Sequence, residues 1–121
     1  MKNFVFIFAF ILFFYFSNSV ALARIDSNKA LFHIGEDTVV CGKVANVAKL
    51  KKRTMINLGN SYPREDLGIL IWDNNLPLIE ESIGLVDNLK NKNVCISGTI
   101  EIFREHLQIK LSNPKMIRLD E

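Results

Sequence analysis

The order in which hydrophobic periodicity changes along this chain constrains its fold more than any other feature. "TVVCGKVANV" (Thr38 to Val47) sets Val40, Gly42 and Val44 against Cys41 and Lys43, the period of two that marks a strand. "TMINLG" repeats the alternation with Ile56 and Leu58 inward, and "LGILIW" (Leu67 to Trp72) is apolar on both faces, as a covered strand is. The period then becomes helical. Ile79, Ile83 and Val86 fall at i, i+4 and i+7, Asn74 or Asn75 can cap, and Pro77 sits in the first turn. Alternation returns in "NVCISGTIEIF" (Asn93 to Phe103), with Val94, Ile96, Ile100 and Ile102 inward. It continues in "LQIKL" (Leu107 to Leu111), with Gln108 and Lys110 outward. Ahead of all these, "SNKALFHIG" reads as a short helix capped by Ser27 and ended by Gly35.

Three strands, a helix and two further strands is the order of an OB-fold, a five-stranded Greek-key barrel with its helix between strands three and four. A small barrel bends its strands sharply, and Gly42 and Gly98 stand where such bends are needed. Another small β-barrel or an α+β sandwich would share the order. No linker divides the chain, so one all-β domain is expected over residues 24–121.

The first residues form a different kind of segment. Met1-Lys2 is a short basic start, Asn3 to Phe16 is an uncharged apolar run, and Ala21-Leu22-Ala23 fits a signal-peptidase site. The run is shorter than the ~20 residues a membrane span needs. A cleaved signal over residues 1–23 is therefore expected, with a mature chain from Arg24, no membrane span thereafter, and a periplasmic or secreted address. Seven of the nine phenylalanines lie in that segment, which leaves Phe32, Tyr62, Trp72 and Phe103 as the domain's aromatics. The formal charge of +2 includes Lys2, so the domain is close to neutral and its net charge selects no partner.

"HIGEDTVVCGKV", "INLGNSYPREDLGILIW" and "NVCISGTIEI" resemble the successive signatures of a family of small secreted bacterial OB-fold domains described as nucleic-acid-binding-like. The resemblance covers nearly all of the expected mature chain and implies the same barrel. The turn before the last strand departs from it. Where that family has a glycine and a short aromatic run, this chain has Phe103-Arg104-Glu105-His106.

Cys41 and Cys95 fall on the face opposite the core positions, in strands that an OB barrel places side by side. Cysteines so placed come within disulfide reach, and an exported chain with an even cysteine count favours oxidation. A pair of free, half-buried thiols is the other reading. No C-x-x-C is present and His33 and His106 stand alone, so neither a metal nor another cofactor is expected. Ser61, Ser82, Ser97 and Ser112 lack a nucleophile-elbow context, and Glu80 and Glu81 are adjacent on a helix and point apart, so no enzyme is expected.

Binding is what remains. OB-folds take ligands across strands two and three, between the first–second and fourth–fifth connections. Lys49, Lys51, Lys52 and Arg53 occupy the first connection and Arg104 the second, with Tyr62 and Trp72 as stacking candidates. Single-stranded nucleic acid is the expected ligand on this pattern. A solvated basic loop accounts for the lysines equally well, and Trp72 also reads as core. The competing expectation is a barrel of the cell envelope that binds a small ligand or an envelope protein.

Overall fold

A computed structural model of the chain describes residues 23–120. Nearly all of the expected signal segment lies outside them. The strands are β1 (Arg24–Asp26), β2 (Asp37–Leu50), β3 (Arg53–Leu58), β4 (Leu67–Trp72), β5 (Asn93–Thr99), β6 (Glu101–Phe103), β7 (His106–Lys110) and β8 (Ile117–Leu119). The single α-helix of the described residues, α1 (Leu76–Ile83), follows β4 as expected. No helix among them is long and apolar enough to cross a membrane.

The ladder runs β6-β7-β4-β3-β2-β5-β8, with β1 on the free side of β2. Pairs β1–β2 and β4–β7 are parallel and the rest antiparallel. The connectivity is that of an OB-fold, but the five expected strands are eight and the ladder stays open. Three residues each are too few for β1 and β8 to show a periodicity in sequence. The expected fourth strand is two, because its partner changes: Thr99 pairs with Asp37 on β2, and Glu101 with Gln108 on β7. Ile100 sits at the junction, fully buried, with its backbone bonded to Gly35 and Glu36. The junction breaks the alternation, so Ile102, expected inward, is 58% exposed.

The long β2 serves two partners. It pairs with β5 through Lys43 and with β3 from Val44 onward, with a register shift between Val44 and Asn46. That bulge accounts for the bend assigned to Gly42 in the sequence, since an unpaired residue kinks and twists its strand. Gly42 does something else. A Cβ there would lie 2.5 Å from Ser27 Oγ, so the glycine lets the 3-10 helix Ser27–His33 lie on the strand. Ser27 donates to Asp66 Oδ2 at 3.0 Å rather than capping that helix.

The core gathers Val40 and Val44 of β2, Ile56 and Leu58 of β3, Ile69 and Ile71 of β4, and Ile109 of β7, all fully buried. Ile79 of α1 plugs one end of it. Asn75 precedes α1 without a side-chain cap bond, and Gly84, at φ 87°, ends it before the apolar stripe is complete. Val86 therefore reaches the core from a separate 3-10 turn, its N–H bonded to Glu80 Oε2 at 2.9 Å.

Cys41 lies directly opposite Cys95 across the β2–β5 ladder, and the two form a disulfide with a Cα separation of 4.1 Å. Their row continues to Asp26 on β1 and Arg118 on β8. An Asp120 carboxylate oxygen lies within 4.8 Å of both sulfurs. With the sulfurs bonded to each other, these three residues are not a metal donor set, and no other group of three qualifies among the described residues. Arg24 hydrogen-bonds Asp120 and so ties β1 to the end of β8.

Candidate nucleic-acid interface

Residues directly opposite on neighbouring strands share a face, so the ladder register spells out the surface. Ile56 faces Ile69 and Leu58 faces Leu67 in the core, which turns the alternate positions of β3 and β4 outward. The outer face has a first row of Leu50, Arg53 and Trp72. A second holds Ala48, Met55, Leu70 and Lys110. A third holds Asn46, Asn57, Gly68, Gln108 and Glu101, and beyond it Phe103 pairs with His106. The length of β4 puts roughly 17 Å between the two ends.

The first row carries the basic end. The connection expected to be a loop is a two-residue turn, Lys51-Lys52, because the β2–β3 ladder persists as far as Leu50 and Arg53. Both lysines are exposed, and Lys52 adopts φ 67°. Trp72 is 42% exposed beside Arg53, so its indole belongs to the surface and not to the core. Lys49 departs from the group. It lies within β2 opposite Thr54, on the other side of the strand from Arg53, and its ammonium is 4.0 Å from Asp87.

The middle of the face is amide-rich but closed, with Asn57 and Gln108 themselves buried. Asn57 Nδ2 donates to Asn46 Oδ1 at 3.0 Å, and Gln108 Nε2 donates to Glu101 Oε1 at 2.9 Å. Lys110 Nζ approaches the same Glu101 oxygen at 3.5 Å. Gly68 stands between the two amide pairs. A Cβ there would come within 2.7 Å of Met55 Cε, so the missing side chain leaves room for the methionine tip.

The far end is built on the Arg104-Glu105 turn, where both residues take positive φ (50° and 68°), the backbone of a type I′ hairpin. The Arg104 guanidinium lies over the Phe103 ring at 5.2 Å. Tyr62 stacks on His106 with ring centroids 4.9 Å apart. His106, which stands alone in the sequence, is anchored by its Nδ1 to Glu65 Oε1 at 2.5 Å.

Lys51, Lys52, Arg53 and Trp72 thus converge at one end of the face, and Tyr62 and Arg104 flank the other. The amide row of Asn46, Asn57 and Gln108 went unnoticed in the sequence. Their signal was present, because with Ile56 and Leu58 inward the alternation already turned Asn57 and Met55 outward.

No protein-family model matches the chain, and no curated protein matches it. The resemblance of its motifs to small secreted bacterial domains therefore carries no further than the fold. Solved structures do match. OBody AM1L10 bound to hen egg-white lysozyme is 17% identical, with a TM-score of 0.56 over 84% of this chain and 98% of that one. OBody AM3L15, also bound to hen egg-white lysozyme, is 15% identical, with a TM-score of 0.56 over 85% of this chain and 97% of that one. Asparaginyl-tRNA synthetase from Pyrococcus horikoshii is 9% identical, with a TM-score of 0.55 over 82% of this chain but only 23% of the enzyme. At these identities the likeness is one of fold, and the fold is that of OB domains.

Proposed function

We propose that this chain is an exported OB-fold binding module that takes single-stranded nucleic acid across the outer face of β3, β4 and β7. The observation that carries the reading is Trp72, an exposed indole next to Arg53 and the Lys51-Lys52 turn. An aromatic plane beside cations is what a single strand needs, because every base has a face to stack and every nucleotide a phosphate to neutralise. In this reading Lys51, Lys52 and Arg53 hold phosphates at one end and Arg104 at the other, while Tyr62 offers a second plane. Between them the half-buried Asn46 can meet a base edge, while Asn57 and Gln108 are buried beneath the face. Lys49 is left out. The module has no catalytic role and acts by binding alone. A periplasmic or secreted address is supported by the apolar leader and by the Cys41–Cys95 disulfide, which persists in oxidising compartments.

The fold alone does not choose the ligand, since its neighbours include a tRNA synthetase and proteins bound to lysozyme. Fluorescence anisotropy with a labelled oligonucleotide at two salt concentrations tests the choice. Each phosphate contact should contribute a slope of about −0.7 in log K against log salt. Absence of binding at low salt overturns the reading in favour of a protein or small-molecule ligand.

A further inference from the structure

Behind the Tyr62–His106 stack lies a cleft of about 280 Å³, between the 3-10 helix Ser27–His33, the β3–β4 loop and the β6–β7 turn. Leu31, Pro63 and Leu107 supply its apolar surface, and Glu65, Asp66 and Glu105 its charge; no lysine or arginine lines it. Arg104 lies over Phe103 and Lys29 over Phe32, and Arg64, between the lining residues Pro63 and Glu65, is itself exposed and not part of the lining.

Three carboxylates alone would be an ordinary acidic surface. The separate observation is Glu65, whose side chain is only 4% exposed. One of its oxygens is held by His106, while Oε2 is buried with no hydrogen-bond partner among the described residues. A buried oxygen without a donor is costly, and a ligand that brings an N–H to it recovers that cost. Asp66 has an oxygen committed to Ser27. Donors are therefore wanted at several separated points.

That spacing selects the ligand. The acceptors do not gather within 4.8 Å as metal ligands would. An extended, multiply donating cation suits them better, and a guanidinium carries five N–H groups in a fixed fork. The volume falls just below the ~300 Å³ at which small-molecule sites begin, so it suits one side chain or small amine. The apolar wall accommodates an alkyl stem. We propose that this cleft receives an alkyl-guanidinium or alkyl-ammonium group, the chemistry of an arginine or lysine side chain or of a free small amine.

The probe is N-butylguanidinium, titrated into the intact disulfide-bonded protein and followed by backbone amide shifts of Tyr62, Glu105, His106 and Leu107. Saturable shifts with a Kd near ~1 mM are expected, while neutral N-butylurea gives none. Glu65→Gln should weaken binding about tenfold or more. Leu31→Trp, at an exposed position, should block the cleft without unfolding the protein, and so covers the case in which the Glu65 variant fails to fold. A blocked Gly-Arg-Gly peptide that binds tighter than N-butylguanidinium assigns the cleft to a protein side chain, and the reverse order assigns it to a free amine. Absence of saturation by the guanidinium, or equal binding of the urea, overturns the proposal.

Discussion

The domain has two outer faces built on opposite plans. Around β2 and β5 the surface is closed: the disulfide occupies its centre, β1 and β8 flank it, and Arg24 with Asp120 ties the flanks together. Around β3, β4 and β7 the surface is open. Trp72, Lys51 and Lys52 stand exposed, and the Asn57–Asn46 and Gln108–Glu101 amide bonds join neighbouring strands within a single row. One β2 strand feeds both, its first half in the closed face and its second in the open one. Stability is concentrated where covalent and charged links gather, and binding capacity at the end of the open face where Lys51, Lys52 and Trp72 stand exposed.

The sharpest way to break that division is to remove the staple. Cys41 and Cys95 are separated by 54 residues, and a loop of that length gives roughly 4 kcal/mol by the chain-entropy relation. Urea unfolding of Cys41→Ala/Cys95→Ala should show a loss of about that size, a large part of the ~5–15 kcal/mol typical of a domain. Oligonucleotide affinity should not change while the variant remains folded. If affinity falls in step with stability, the two faces are not independent.

Trp72→Ala should behave in the opposite way. Anisotropy should report a loss of ~1–3 kcal/mol in affinity, the usual worth of a base–aromatic stack. Thermal unfolding should report only ~1 kcal/mol, because the indole is 42% exposed and far from the ~3–5 kcal/mol of a buried one. A stability loss in the upper range with unaltered affinity would return Trp72 to the core.

The Lys51-Lys52 turn refines the comparison further. Lys51→Ala with Lys52→Asn removes both charges, and asparagine tolerates the φ of 67° at position 52 better than alanine. The salt slope should become shallower by about 1.4. Stability should stay within ~0.5 kcal/mol. An unchanged slope would remove the turn from the site while keeping the rest of the face.

The smallest effect belongs to Asp120. Its hydrogen bond from Arg24 holds its carboxyl below the usual carboxylate range. A group depressed in the folded state stabilises above its unfolded pKa, ~3.9, and that contribution fades as pH falls through the folded value. Melting curves of wild type and Asp120→Asn should therefore differ at pH 6 and converge at strongly acid pH. A gap that widens with acid would contradict the assignment.

The parts of the fold that rest on repeated pattern were legible in sequence. β2, β3 and β7 announced themselves by alternation, β4 by an apolar run, and α1 by Ile79 and Ile83. The parts that rest on a partner were not. Ile102 fits an inward pattern by spacing, and only the exchange of β2 for β7 at Ile100 turns it out. Gly42 reads as a bend until Ser27 is found against it. The same holds for the candidate site. Lys51, Lys52 and Arg53 are adjacent in sequence and stay adjacent in space. Lys49 belongs to the same run, yet strand alternation sends it to the opposite side. The cleft was illegible because Ser27, Glu65 and His106 come from three segments that no local pattern connects.

The Arg24–Asp120 pair has one more consequence. It makes the two ends of the described domain neighbours, so the fold is nearly a ring and its present order of segments is one choice among several. Folded domains with adjoining ends tolerate re-opening at an exposed loop. A permuted chain, joined by a short flexible linker between positions 120 and 24 and cut between Asn60 and Ser61, should give the same amide-exchange pattern across β2, β3 and β5. In such a chain the β3 and β4 strands would become its last and first segments, and the pairing of its two ends would complete the binding face beside β7.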